Sequence, residues 1–268
     1  MSNLVQRVLA AAIFGPALLA LFWYGKLPLL FAMGLIVAIG TREFCQMLRV
    51  KGLHPWATVA ILASLIWCGL AFLYALQIWA TFFPILFILL LIIALFTGET
   101  GWRLANATGT LLAILYVGFL GSFVILVRNH PHPNNDLFAI LILVGIWASD
   151  VFAYFSGRAF GRWHPLPKIS PSKTEAGFIG GILAAVGATV WGTQVWALLP
   201  LDQSLILGLI IGIGAPIGDL IESMIKRDIG VKDTSELIPG HGGMLDRFDS
   251  VFFVFPLVYL YLQIINPS

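Results

Sequence analysis

Charge is scarce in this sequence. Asp, Glu, Lys and Arg make up 10% of its 268 residues, against about 25% in soluble domains, while 59% are hydrophobic. That balance excludes a soluble globular domain, because one core of this size cannot hide so much apolar surface, whereas a bilayer can. Cysteine is scarce too. Cys45 and Cys68 fall in or beside apolar stretches without metal-like spacing, which leaves them as small hydrophobes rather than metal ligands. No polar stretch is long enough for a separate soluble domain. No small-residue cleavage site follows the first apolar run before the next one begins at Leu27, so the N-terminus reads as a retained first span and not as a signal peptide.

What the sequence has in abundance is apolar runs. A bilayer core about 30 Å thick needs roughly 20 apolar residues per helix. Nine segments qualify or nearly do, at about 6–24, 27–47, 56–77, 79–96, 104–127, 137–156, 176–199, 204–224 and 250–266. The expected fold is therefore all-α, a polytopic integral membrane protein with about nine transmembrane helices. Residues 1–135 form an N-terminal scaffold of about five spans. Residues 136–268 form a catalytic region of about four, with polar loops at 157–175 and 225–249. Basic residues test this count through the positive-inside rule. Nine spans put Arg7, Arg42, Arg49, Lys51, Arg103, Arg158, Arg162, Lys168, Lys173, Lys226, Arg227, Lys232 and Arg247 on one side, which is 13 of the 15 basic residues, and only Lys26 and Arg128 on the other. The N-terminus and both polar loops are thus expected in the cytoplasm and the C-terminus outside. Because the basic residues are placed rather than spread, the net charge of +2 says little about partners.

Asp150 lies late in the sixth span and Asp219 late in the eighth. A carboxylate at a helix centre costs at least about 2.5–3.5 kcal/mol, so it normally faces a protein interior or a cavity. Asp150 and Asp219 stand eight residues before Arg158 and Arg227 respectively, roughly 12 Å below the cytoplasmic boundary. Glu222 follows Asp219 by three residues, on the same helix face. Residues 212–218, with Pro216 among glycines, are expected to weaken or kink the eighth span. These acids could be structural glue paired with Arg42 or Lys226. Their matched depth favours a polar cavity open to the cytoplasm, which a transporter could also possess.

The loop before the last span concentrates three devices. Asp246 and Asp249 are spaced i, i+3 at the helix start, a hard-oxygen pair of the kind that holds Mg²⁺ together with substrate phosphates. Gly240, Gly242 and Gly243 let backbone N–H groups approach an anion. Lys226, Arg227, Lys232 and Arg247 supply cations for phosphate oxygens. Each has a plainer alternative: the aspartates could cap the helix, the glycines could form a turn, and the basic residues could only obey the positive-inside rule. His241 alone would more often be structural. Their concentration within about 25 residues, between spans bearing buried acids, is what favours a site.

The run S-x-I-K-R-x4-K-D-x-S-x2-I-P-x-H-G-G-M-x-D-R-F-D at 223–249 resembles the motif of phosphatidate cytidylyltransferases over its full length. A second stretch is similar to the same family: Asp150, Ala153, Tyr154, Gly157, Arg158, Gly161 and Arg162, then Ser170, Pro171, Ser172, Lys173, Thr174 and Gly177. Two positions depart from it. Ala176 stands where the family usually has glutamate, with Glu175 one place earlier, and Thr234-Ser235 replaces an aromatic-glycine pair.

The resemblance implies transfer of the cytidylyl group of CTP to phosphatidate, giving CDP-diacylglycerol and pyrophosphate at the cytoplasmic face of the inner membrane. It implies Mg²⁺, with Mn²⁺ as a substitute and a monovalent cation such as K⁺ beside it, a homodimer among membrane lipids, and no nucleic-acid partner. On it, Asp219, Asp246 and Asp249 would hold metal, with Glu222 and Asp150 as further ligands, and Lys226 and Arg247 would act in catalysis. Lys173, Ser170, Thr174, Arg227, Lys232, His241, Gly242, Gly243 and Arg158 would contact substrate. A CTP-dependent polyprenol or phytol kinase is the nearest alternative, and would release CDP instead of pyrophosphate. A CDP-alcohol phosphotransferase is disfavoured because its D-x2-D-G-x2-A-R pattern is absent, and a transporter because the chain shows no repeated halves.

Overall fold

A computed structural model describes residues 3–73, 78–97, 101–131, 134–235 and 242–266, with the backbone alone for 3–11. The described residues are all-helical, in chain order α1 (Asn3–Tyr24), α2 (Lys26–Val50), α3 (Ala57–Leu73), α4 (Trp79–Phe96), α5 (Arg103–Ala113), α6 (Leu120–Asn129), α7 (Asn135–Phe160), α8 (Glu175–Val195), α9 (Leu201–Ile229) and α10 (Leu245–Ile265). A π-helical segment, Ile114–Phe119, joins α5 and α6 into one rod, Arg103–Asn129. Seven of these rods are long and apolar enough to cross a membrane. α3 and the part of α1 with described side chains, Ala12–Tyr24, are apolar but shorter. α4 presents Phe83, Ile85, Phe87, Ile88, Leu89, Leu91, Ile92, Leu95 and Phe96 outward, an apolar face that suits lipid and not water. The chain is a membrane protein.

Two packing arrangements build the bundle. In the N-terminal half, Trp67 of α3 is fully buried and meets Phe82, Trp79 and Phe119 edge-on, with ring centroids 4.8, 4.9 and 5.1 Å away. In the C-terminal half, small residues let α7, α8, α9 and α10 pack backbone to backbone, the usual way helices associate within lipid. A Cβ on Gly212 would lie 2.8 Å from the Ile182 backbone of α8. One on Gly218 would lie 2.8 Å from Phe253 and 3.0 Å from Asp249 O on α10. The 212–218 segment, expected to weaken its helix, instead lies within a continuous 29-residue α9 that carries Pro216. Its glycines form the stripe along which α8 and α10 approach.

α9 also runs further than the apolar pattern indicates. It ends at Ile229, where Gly230 adopts φ 94° and donates its N–H back to Lys226 O and Arg227 O. Lys226 and Arg227 therefore occupy the last helical turn and have fixed directions. Substituting Gly218→Ala should destabilise the protein by about 1–3 kcal/mol through this overpacking. Gly187→Ala, where a Cβ meets nothing within 4 Å, should be neutral or raise stability by up to about 1 kcal/mol. Thermal unfolding in detergent checks both.

Candidate active site

Two connections meet near the end of α9. The first, residues 161–174, joins α7 to α8. Thr174 Oγ1 accepts the Gly177 N–H at 3.1 Å and so caps α8. Gly157 and Gly161 close around it, and a Cβ on Gly161 would stand 2.6 Å from that hydroxyl. Glu175 accepts the N–H groups of Trp163 (2.9 Å) and Arg162 (3.4 Å), tying the start of the connection to its end. Arg227 Nε donates to Ile169 O at 3.4 Å, joining this connection to α9. Ser170 is half-buried beside it. Lys173 Nζ then reaches Asp219 Oδ2 at 2.7 Å. Burial works against the Lys173 ammonium, but the Asp219 carboxylate, with Asp150 and Asp249 behind it, outweighs that cost and holds its pKa above the ordinary lysine value.

The second connection runs from α9 to α10. Lys226 Nζ donates to Asp246 Oδ1 at 2.6 Å and to Glu222 Oε2, one turn back, at 3.2 Å. Asp246 Oδ2 accepts three further bonds, from Thr234 Oγ1 (2.7 Å), Gly243 N–H (2.8 Å) and Thr234 N–H (3.0 Å). Asp246 thus clamps both ends of the connection to α9. Gly242, at φ 78°, must be glycine here, since a Cβ would stand 2.7 Å from Asp246 Oδ2. Asp249, three residues on, does different work. It is buried, its Oδ1 accepts the Ser250 N–H at 2.6 Å, and its carboxyl lies within hydrogen-bonding reach of Glu222 and electrostatic reach of Asp219.

These groups form a chain of neighbours: Asp150, Lys173, Asp219, Asp249, Glu222, Lys226, Asp246. Signs alternate at its ends. In the middle, Asp249 lies within electrostatic reach of Asp219 and Glu222, each of which is paired with a lysine, and among the described residues Glu222 Oε1 is buried with no hydrogen-bond partner. Hard carboxylate oxygens whose negative charge is not fully balanced by the lysines fit a divalent cation. Among the described residues no three His, Cys, Asp or Glu side chains form a metal cage by themselves. An open half-site completed by substrate phosphates is, however, the usual way Mg²⁺ is held.

Around this cluster, Arg247 is exposed and, like Lys173, within electrostatic reach of Asp150, which is itself accessible. Lys232 is exposed, and exposed Arg158 donates to the Tyr154 hydroxyl at 3.1 Å. His241 and Gly240 lie outside the described residues.

Sequence reasoning missed Glu43. This α2 residue is 4% exposed. Its Oε1 accepts Ser235 Oγ (2.6 Å) and Met244 N–H (3.0 Å), and its Oε2 accepts Leu245 N–H (2.9 Å). It caps α10 from some 200 residues away in sequence, a carboxylate set against the positive end of a helix. An acid flanked by Arg42 gave no sign of this, although a glutamate inside an apolar run is itself a signal that a buried partner exists. Glu43→Ala should cost about 2–3 kcal/mol, a lost cap plus an unsatisfied donor. Hydrogen exchange at the amides of residues 243–245 should rise, and Glu43→Gln should recover part of the loss.

Comparison with known proteins places this geometry in a family. Residues 5–265 match the model of the Cytidylyltransferase family. A Synechocystis protein named phosphatidate cytidylyltransferase is 35% identical over 290 residues, covering 98% of this chain and 97% of its own. A Bacillus subtilis protein of the same name is 32% identical over 277 residues, covering 99% and 100%. The chloroplastic phosphatidate cytidylyltransferase 4 of Arabidopsis thaliana is 34% identical over 267 residues, covering 87% and 66%. With its membrane-length helices and its loops bound around buried acids, the chain belongs to the cytidylyltransferase family and is an enzyme of that family.

Proposed function

We propose that the protein transfers the cytidylyl group of CTP to phosphatidate, forming CDP-diacylglycerol and pyrophosphate. One observation carries this reading: three adjoining carboxylates, Asp219, Glu222 and Asp249, lie between two lysines and beside two polar connections. A phosphatidate phosphate oxygen attacks the α-phosphorus of CTP, a new P–O bond forms, the α–β anhydride bond breaks, and pyrophosphate departs. The nucleophile is already an anion, so a general base is unnecessary and His241 needs no such role. The demands are positioning and neutralising charge.

One or two of Asp219, Glu222 and Asp249 would hold Mg²⁺ together with substrate phosphates, with Asp150 nearby. When bound, the cation would draw negative charge from the phosphates and let two anions meet. Lys173 and Arg247 are accessible beside the cluster, where they would orient phosphates, while Arg227 offers charge beside the first connection and exposed Lys232 within the second. Lys226 is committed to Glu222 and Asp246, so it sets the direction of both acids. Asp246, with four bonds of its own, holds the connection in shape. Thr174 and Ser170 set the path of the segment that delivers Lys173.

Seven described helices are long and apolar enough to cross a membrane and two more apolar ones are shorter; if all nine cross, 13 of the 15 basic residues fall on one side. The site then faces the cytoplasm, the source of CTP, at the inner-leaflet depth of phosphatidate. In a bacterium this is the inner membrane. A homodimer and a K⁺ beside the Mg²⁺ are part of the same reading. A CTP-dependent lipid kinase would share the nucleotide and the cation, and differs in its product.

Purified protein supplied with labelled CTP, phosphatidate and Mg²⁺ should yield a labelled lipid and pyrophosphate, and EDTA should abolish both. Release of CDP would instead favour the kinase. Asp249→Asn should lower turnover at least about 100-fold, the scale of one lost transition-state electrostatic contact, without lowering the thermal midpoint. Full activity in that variant would refute the assignment of the cation to these acids.

A further inference from the structure

One hydroxyl beside the acid cluster has no role in the chemistry above. Tyr116 lies in the π-helical segment Ile114–Phe119, in the otherwise α-helical rod Arg103–Asn129. A π turn carries an extra residue and aims its side chains off the α-helical register, and such turns concentrate at functional sites. The segment is held firmly. A Cβ on Gly118 would stand 2.7 Å from the Ser64 backbone of α3, and Val117 fills the space beside Gly40 of α2. The Tyr116 ring packs on Phe44, the neighbour of Glu43, with centroids 5.5 Å apart.

Tyr116 is 9% exposed, and among the described residues its hydroxyl oxygen is buried without a hydrogen-bond partner. The acids within electrostatic reach of that hydroxyl are Glu222, Asp249 and Asp219, the same three that the proposed function gives to the cation. A buried O–H should be hydrogen-bonded. Here a donor lacks an acceptor and, in the same cluster, Glu222 Oε1 lacks a donor. The two orphans are not bonded to each other. A ligand that brings both a cation and an oxygen satisfies the pair at once: the cation meets the carboxylates and the oxygen accepts from the phenol.

We propose that the Tyr116 hydroxyl is a binding group of this site, donating a hydrogen bond to an oxygen held in the acid cluster, either a water on the cation or a substrate phosphate oxygen. This rests on reading the acid cluster as the place where the cation and phosphates bind. It also gives the N-terminal half a direct part in the site, beyond the support lent by Glu43.

The test is Tyr116→Phe, which removes one oxygen and leaves the ring on Phe44. Its thermal midpoint, its Mn²⁺ affinity by paramagnetic resonance without nucleotide, and its KM values for CTP and phosphatidate are compared with those of the unsubstituted enzyme. The midpoint should stay the same or rise, since an unpaired buried hydroxyl is lost. At least one affinity should weaken about 10–100-fold, the worth of one hydrogen bond to a charged group. Loss of Mn²⁺ affinity without nucleotide identifies water on the cation. A change in one KM alone identifies the phosphate of that substrate. Unchanged affinities and KM values overturn the proposal, as does a loss that merely follows a lowered midpoint. If the unsubstituted protein transfers no cytidylyl group yet the substitution still weakens Mn²⁺ binding, the hydroxyl assignment stands and the transfer reading falls. If it binds neither Mn²⁺ nor CTP, both fall.

Discussion

A carboxylate buried in a membrane-spanning bundle requires a positive partner, and among the described residues this cluster holds fewer paired cations than acids. Lys226 serves Glu222 and Asp246, and Lys173 serves Asp219. Among the described residues, Asp249 accepts the Ser250 N–H and otherwise lies beside other acids, with Glu222 within hydrogen-bonding reach. Removing one member of a buried charge pair typically costs several kcal/mol, so acids gathered in this way are costly unless their charge is balanced. The shape of the site follows from that imbalance: carboxylate oxygens gathered between two ammonium groups, the arrangement that the proposed function gives to a dication.

The rest of the structure serves to keep those acids together. Glycines along α9 bring α8 and α10 close enough for Asp249 to face Glu222. Asp246 and Glu43 grip the connection before α10 from two sides, the first through α9 and the second through α2. Hydrogen bonds from backbone N–H groups to a carboxylate are charge-assisted and directional, so the start of α10 is fixed in both position and rotation. The N-terminal half, which carries none of the motif residues, is thereby mechanically joined to the chemistry.

Much of this was legible beforehand. Apolar runs marked the helices to within a turn or so, because lipid-length hydrophobicity is a strong and local signal. The motif residues Asp219, Glu222, Lys226, Asp246 and Asp249 do converge, and Lys173 arrives from the other connection. What local reading could not supply was the division of labour. Asp246 and Asp249 look equivalent at i, i+3, yet one is saturated by Thr234, Gly243 and Lys226 while the other is left among acids. Thr174 reads as a phosphate contact in its motif, and its hydroxyl caps a helix. Glycines 212, 214 and 218 suggest a broken helix, and they are packing surfaces. Glu43 and Tyr116 were invisible because their partners lie more than 100 residues away in sequence, a separation across which neither periodicity nor spacing carries information.

Anomalous diffraction from crystals grown with Mn²⁺ locates the dication directly. The account requires a peak bounded by the carboxylates of Asp219, Glu222 and Asp249, with Asp246 still bonded to Lys226. A peak coordinated elsewhere, with those three acids bridged only by protein groups, would contradict it.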